Sequence, residues 1–473
     1  MAGTTATSRD RAAGGVPDSA GTVPAANAEG PPDMHLDGDE PVTGTVEDRL
    51  RLAVAYDVTS SSPLELTEAL GDRWDIVWVV DTSDPALGSW IRVLPRLGHV
   101  VDRGGRPAAA VAADLADEAV DGVIAFTDSQ LHLAAELAAR LGLEGNPPEV
   151  VEALIDKGTQ RRTLAAAGVP GPRFAVVAPG ARPAEVARLV DGVTFPVVVK
   201  PLRGSGSRDT VLAPDTEAVL HHVAVHGHGP EGGWIVEEWL GELDTAVGGR
   251  FGAYVSVEAV AQQGEIVPLA VTGKFRLADP FRETGNFLPH LLDPVTADAV
   301  VEMALRAARA LRVRTGALHI EVKLTPDGPR ILELNGRVGG GSIDALFAMV
   351  HGPTLTELAA TVAAGRSVDP GTLDSRLAPD SFAYAHFTQA PTDAVALEGI
   401  AGLDTVGGLD GVVATTVNRT VGDPLDWRVG SQGYVVAVRG LAADRDELGR
   451  VPAQVGEALD ITYARAKVPA RPA

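Results

Sequence analysis

Along the 473-residue chain, apolar side chains gather in short runs whose spacing changes from region to region. Residues 1–48 carry almost none that could be buried, and this Ala-, Gly-, Pro-, Thr- and acid-rich stretch is expected to be a disordered tail. From Arg49 onward, apolar runs alternate with amphipathic stretches. The runs at 52–56, 76–80 and 122–126 read as buried strands, and 131–141, rich in Ala and Leu at helical spacing, reads as a helix. Strand, helix, strand is the order of a parallel sheet, so 49–146 is expected to form a small Rossmann-like domain. That domain has no dinucleotide glycine fingerprint. The GxGxxG spacing occurs only at Gly227, Gly229 and Gly232, ahead of the strand-like run at 234–236 instead of between a strand and a helix, and is read as a chance match. A nicotinamide oxidoreductase is disfavoured on this ground.

The most informative pattern lies at 317–343. Period-two alternation puts Leu318, Ile320, Val322 and Leu324 on one face and His319, Glu321 and Lys323 on the other. Beyond Pro326-Asp327-Gly328, Glu333, Asn335 and Arg337 share a face, with Leu332 and Leu334 opposite, which predicts a hairpin. If its loop is centred on Asp327, equidistant residues pair, and Glu321 stands opposite Glu333 with β-carbons about 5 Å apart. Like charges there repel; a one-residue slip would turn one of them to solvent, and a divalent cation would neutralise both. Magnesium takes one or two protein carboxylates and completes its shell with water and phosphate oxygens, which suits Glu321, Glu333 and the amide oxygen of Asn335. Arg337 adds a planar cation fitted to a carboxylate or phosphoryl group, and the glycines at 339–341 let a ligand approach the backbone.

A metal between two carboxylates calls for phosphates. Lys200 ends a β-branched run and is followed by Gly204-Ser205-Gly206-Ser207, small residues whose N–H groups can face phosphate oxygens. No GxxxxGK[ST] occurs, and no HRD or DFG, so neither a P-loop nor a protein kinase is indicated. Lys157, at the start of a helix-like run, is a second candidate for phosphate. The alternating segment 234–240 reads as a strand running into a hinge that could meet a purine and a ribose. His221, His222, His226 and His228 lack accompanying carboxylates and read as a solvated loop instead of a metal site.

Composition narrows the field further. The length suggests two or three domains. The formal charge of -23 argues against nucleic-acid or anionic-membrane partners, and the absence of cysteine excludes disulfides, thiolate metal sites and cysteine nucleophiles. No apolar run reaches bilayer length and no GxSxG elbow occurs, so a cytoplasmic enzyme that is not a serine hydrolase is expected.

Taken in order, Lys157, Lys200 with its Gly-Ser-Gly-Ser loop, the Val-Glu-Glu-Trp-Leu hinge, Glu321, and Glu333-x-Asn335-x-Arg337-x-Gly339-Gly340 resemble the ATP-grasp superfamily over roughly 49–463. The resemblance implies an α/β and α+β multidomain fold. Its parts would be a Rossmann-like pre-ATP-grasp domain at 49–146, an ATP-grasp region at 147–367 with a lid at about 165–235, and a strand-rich C-terminal subdomain at 368–473. Within the superfamily, Leu269-Ala-Val-Thr-Gly-Lys274 followed by Phe281-Arg-Glu283-Thr-Gly285-Asn286 is similar to the bacterial L-amino-acid ligases that make dipeptides.

That subfamily implies ATP and two magnesium ions, with manganese able to substitute. Lys157, Lys200 and the loop Gly204, Ser205, Gly206, Ser207 would hold phosphates, and the backbone of Glu237 and Leu240, with Glu238, would meet adenine. The ribose contact falls among Glu242, Asp244 and Glu258. Glu321, Glu333 and Asn335 would bind metal; Arg337, with Glu283 and Lys274, would serve catalysis; Gly339 and Gly340 would border the amino-acid pocket, joined by Asn286, which stands where relatives often carry histidine. The implied reaction joins a small-molecule carboxylate to an amine, amino acids above all, through an acyl phosphate, releasing ADP and phosphate. A homodimer is one option for the assembly. Two alternatives stay open: the same fold with a purine-biosynthetic or carboxylase-type acceptor, and a non-catalytic nucleotide-binding module.

Overall fold

The computed structural model describes residues 49–58, 61–226, 232–241 and 249–466. The expected tail, Gly227, Gly229, His228, Glu242 and Asp244 lie outside the described residues.

The first domain is the parallel sheet that the apolar runs predict. Strands β1 (Leu50–Ala55), β2 (Trp74–Val80), β3 (His99–Asp102) and β4 (Gly122–Ala125) lie in the order β3-β2-β1-β4, all parallel. Near-continuous apolar sequence suits β1 and β2 because helices cover both faces of such a sheet. Helix Leu131–Leu141 forms as expected and ends on Gly142, whose left-handed backbone (φ 70°) lets its N–H close on Ala138. The chain winds outward from β1 to β3 and returns to β4 on the other side of β1, so a crevice opens at the carboxyl ends of β1 and β4. There the Asp57 carboxylate accepts from the Thr127 hydroxyl (3.1 Å) and the Gln130 amide (2.9 Å).

A second, antiparallel sheet of order β5-β8-β6-β7 comprises β5 (Phe174–Val177), β6 (Val197–Pro201), β7 (Val211–Ala213) and β8 (Trp234–Glu238). Helices Pro183–Val190 and Thr216–His226 bury one face of it through Val186, Val190 and Val219 against Val177, Val197 and Trp234.

Among the described residues the largest sheet has eight strands: β9 (Phe251–Gln262), β10 (Glu265–Phe275), β11 (Gly285–Leu288), β12 (Gly316–Thr325), β13 (Gly328–Asn335), β14 (Phe382–Thr388), and then, beyond β15 (Ala394–Ala401), β16 (Val412–Val417) and β17 (Val436–Ala442). Their order is β13-β12-β9-β10-β11-β14-β17-β16; β15 pairs separately with β18 (Asp460–Arg465). Leu318, Ile320, Val322 and Leu324 point into the core against helix Pro294–Ala310, which leaves the polar face of the β12–β13 hairpin turned away from that core. No helix among the described residues is long and apolar enough to cross a membrane.

The hairpin pairs Glu321 with Glu333 as expected, but by a different route. Its loop is the two residues Pro326-Asp327, with Thr325 opposite Gly328, a register that would bring Glu321 against Leu332. A β-bulge at Leu332 adds one residue to β13, so that Val322 faces Ile331 and Glu321 faces Glu333. Leu332, expected beneath the sheet beside Leu334, is accordingly half-buried, and Ile331 takes the inward position.

Close packing in this sheet is testable at Gly273. A β-carbon there would stand 2.1 Å from the Phe287 ring, which packs with Phe251 and Phe275. Gly273→Ala should therefore destabilise the fold by about 1–3 kcal/mol, read as a lower urea midpoint at unchanged slope.

Candidate active site

The floor of the site is the polar face of the β12–β13 hairpin. Glu321 and Glu333 stand opposite one another, and Asn335 pairs across to His319, its amide donating to the His319 carbonyl at 3.4 Å. Each glutamate has its own cation. The Lys157 ammonium lies 3.0 Å from Glu333 Oε1, and the His319 ring nitrogen Nε2 lies 3.6 Å from Glu321 Oε1. The other ring nitrogen of His319 meets Glu258 at 2.9 Å, and Glu258 also accepts from Ser256 (2.7 Å) and Thr272 (3.1 Å). Burial alone would lower the His319 pKa, but Glu258 and Glu321 outweigh it and raise the imidazole to about 9. Glu321 is in turn held below the ordinary carboxylate range, its burial offset by His319.

Helix Lys157–Ala166 places Lys157 in its first turn, behind Asp156, whose carboxylate caps it by accepting from Thr159 N–H. The helix is locked to the bulged strand. Gln160 exchanges two hydrogen bonds with the Leu334 backbone (2.8 and 2.9 Å), and the Arg161 guanidinium donates to the carbonyls of Ile331 and Leu332. These carbonyls lie at the bulge on β13, which among the described residues is the last strand of the sheet and has no further strand beside it to satisfy them. Lys157 also donates to the Gly204 carbonyl at 2.6 Å, tying the floor to the Gly204–Ser207 loop.

Lys200, near the end of β6, meets Glu237 at 2.9 Å, while the other Glu237 oxygen accepts from Arg161 at 2.6 Å. Burial pushes the Glu237 carboxyl up, but Arg161 and Lys200 together pull it down to about 2. The unfolded chain, with an ordinary value of 4.5, binds that proton more readily, so this stabilisation is full above pH 4.5 and is lost as the pH falls toward 2. Glu237→Gln should cost about 2 kcal/mol near neutrality. In urea titrations its deficit against the wild type should shrink between pH 4.5 and 2.

Beside the floor, Glu283 accepts from the Tyr254 hydroxyl at 3.4 Å and lies 3.5 Å from the Lys274 ammonium. At the first-domain side, Arg337 donates to Asp128 (3.1 Å) and to the Val338 carbonyl (3.1 Å), so the residues just after β4 help aim it. Among the described residues no three His, Asp or Glu side chains converge as a metal cage. Two carboxylates and an amide oxygen, all hard donors, instead fit a magnesium ion that draws its other ligands from phosphate and water.

No protein-family model matches the chain. Among solved structures, the L-amino acid ligase from Bacillus licheniformis superposes with a TM-score of 0.68 over 88% of this chain and 99% of that one, at 20% identity. The chain has the ATP-grasp fold. Carboxyaminoimidazole ribonucleotide synthase from Aspergillus clavatus, solved with ATP, gives a TM-score of 0.63 at 12% identity, covering 87% and 99% of the two chains. By sequence, carnosine synthase 1 of Gallus gallus is 31% identical over 273 residues, which is 55% of this chain and only 28% of that protein.

Within the ATP-grasp fold the structure gathers Lys157, Glu321, Glu333, Asn335 and the Gly204–Ser207 loop into one place, with Arg337 and Glu283 at its edges. Several expected roles change. Glu237, expected to offer its backbone to adenine, sits inside the β5-β8-β6 ladder opposite Phe174 and Val198, and what it contributes is its carboxylate. Glu238 turns its side chain to Arg173 and Arg330, and Leu240 lies past the end of β8. Glu258 is wholly buried against His319 and is thereby removed from the candidates for the ribose contact; Glu242 and Asp244 fall outside the described residues. Lys274, expected among the catalytic residues, is 1% exposed and acts as the buried counter-ion of Glu283.

Asn286 is likewise enclosed. Its amide donates to the Gly341 carbonyl at 2.7 Å. Gly339 makes room for the His319 ring, whereas Gly340 faces open space. His221, His222 and His226, expected in a solvated loop, lie on helix Thr216–His226; His222 is buried edge-on against Trp234 and tilted against His226, and burial lowers its pKa to about 4. Sequence reasoning missed the His319–Glu258 pair and Tyr254. Period two placed His319 on the same face as Glu321, but its partner becomes visible only when β9 pairs with β12.

Proposed function

We propose that the chain is an ATP-dependent carboxylate–amine ligase that joins amino-acid substrates through an acyl phosphate and releases ADP and phosphate. The observation that carries this reading is the pair Glu321–Glu333, held face to face by the bulge at Leu332 beneath Lys157 and the Gly204–Ser207 loop. Two of the similar proteins bear names of the same kind, an L-amino acid ligase and a carnosine synthase.

The chemistry follows from what a carboxylate lacks. It does not react with amines near neutral pH because its oxygen is a poor leaving group, and transfer of the γ-phosphoryl supplies a better one. Lys157 and Lys200 would hold the phosphate oxygens, a task of positioning and charge more than of covalent chemistry. Magnesium, as two ions on Glu321, Glu333 and Asn335, would neutralise the charge of the transferring group. Arg337 would steady the acyl phosphate and the oxyanion that forms when the amine attacks, while Glu283 and Gly340 border the amino-acid pocket. The Gly204–Ser207 loop would exclude the water that otherwise hydrolyses the intermediate. In this division of labour 49–146 aims Arg337, 147–367 clasps the nucleotide beneath a lid at about 165–235, and 368–473 closes one side.

The test is an ADP-release screen over pairs of amino acids with the product masses determined. A pair-dependent release of ADP with a product equal to the two substrates less one water supports the ligase. Release that depends on a purine-pathway amine or on bicarbonate would select the alternative acceptors, and MgADP binding without turnover on any substrate would select the non-catalytic module.

A further inference from the structure

The Gly204–Ser207 loop and the residues up to Asp209, together the nucleotide flap of the reading above, are docked at both ends. At one end the Gly204 carbonyl takes the Lys157 ammonium; at the other, the Gly206 carbonyl accepts from Ser431 N–H at 2.7 Å and Asp209 N–H donates to the Arg428 carbonyl at 2.9 Å. The second dock is the irregular segment Trp427–Gly433, which bends sharply at Gly430 (φ 75°). Contact is tight enough that a β-carbon on Gly430 would lie 2.1 Å from the Gly206 oxygen and 2.7 Å from the Arg208 nitrogen. Within the flap, Ser207 (φ 58°) and Asp209 (φ 49°) are both left-handed, a conformation that non-glycine residues keep only where surrounding contacts impose it.

The same segment holds the substrate side. The Ser431 hydroxyl accepts from Glu283 N–H at 2.9 Å, and the Gln389 amide bridges the carbonyls of Glu283 (2.7 Å) and Ser431 (2.9 Å). Asn418 anchors the far end by donating to the carbonyls of Gln432 (3.1 Å) and Tyr434 (3.0 Å). One residue, Ser431, thus binds the flap through its backbone and the Glu283 backbone through its side chain.

We infer that 427–433 is a relay between the nucleotide flap and the amino-acid pocket, with Ser431 and Gln389 as positioning residues that set Glu283 when the flap is down. The inference rests on the ligase reading above and adds to it a coupling: the pocket is completed when nucleotide has closed the loop, so phosphoryl transfer is matched to a seated substrate. Ser431→Ala cuts the link to Glu283 and leaves the flap's backbone dock in place. Gly430→Ala forces the flap off.

Hydrogen–deuterium exchange on the full chain with and without MgADP tests the relay. In the wild type, MgADP should slow exchange both at 204–209 and at 281–286. In Ser431→Ala the slowing at 204–209 should remain while that at 281–286 falls by roughly fivefold, the equivalent of one hydrogen bond. In Gly430→Ala both should be lost. With the amino-acid pair returned by the screen, Ser431→Ala should raise the amino-acid KM by about tenfold and leave the ATP KM within about twofold. Slowing at the flap alone in the wild type, or unchanged coupling in Ser431→Ala, overturns the relay and leaves the ligase reading standing. No response to MgADP anywhere overturns both.

Discussion

Glu333→Gln should lower ADP release by roughly 100- to 1000-fold, because a metal ligand at the transferring phosphoryl group supplies several kcal/mol of transition-state stabilisation. The substitution keeps the side chain's volume and one acceptor, so the hairpin and its bulge should persist and the urea midpoint should stay near that of the wild type. What it removes is the charge that faces Glu321 and that Lys157 now neutralises at 3.0 Å. Isothermal titration should show MgADP binding weakened far more than binding of ADP in EDTA. Wild-type turnover in Glu333→Gln, or a crystal with ADP and magnesium in which Glu321 and Glu333 face apart, would remove the basis of the ligase proposal.

Arg337→Ala should cut amide formation by a similar factor, roughly 100- to 1000-fold, the range found when a preorganised oxyanion donor is removed. Its signature differs from that of Glu333→Gln. Phosphorylation of the carboxylate does not need the guanidinium as the amide-forming step does, so ADP release should outlast product formation, the acyl phosphate being lost to water. Comparing ADP and product per turnover reads this ratio directly. Asp128→Asn is the companion test: it keeps the guanidinium but weakens the 3.1 Å ion pair that aims it from the first domain, and should cost only about tenfold. Equal losses of ADP and product in Arg337→Ala would place Arg337 in the phosphoryl step instead.

Much of this site could be read along the chain because its central signal is local. Alternation on either side of a turn brings Glu321 and Glu333 together, and a single hairpin contains both. The details that escaped are those that pairing distant segments decides. The two-residue loop and the bulge at Leu332 cancel each other in register, so the expectation of a loop centred on Asp327 reached the right pair without the bulge. Strand β3 was missed because His99-Val100-Val101-Asp102 is too short to show a period. The burial of Lys274 and Asn286 was not legible, since β10 and β11 lie inside the large sheet and are covered by segments distant in sequence. In the segment 427–433 only the glycines Gly430 and Gly433 stand out along the chain, as turn formers; that the segment meets the Gly204–Ser207 loop is a property of the fold.

The clamp of Gln160 and Arg161 on β13 has an effect beyond aiming Lys157. A terminal strand with bare amides and carbonyls is a template on which a foreign strand can add, and growth from such rims is a common route to precipitation. Here the rim is sealed by the helix that carries Lys157, so under the proposed function protection from self-association and readiness for nucleotide would stand or fall together.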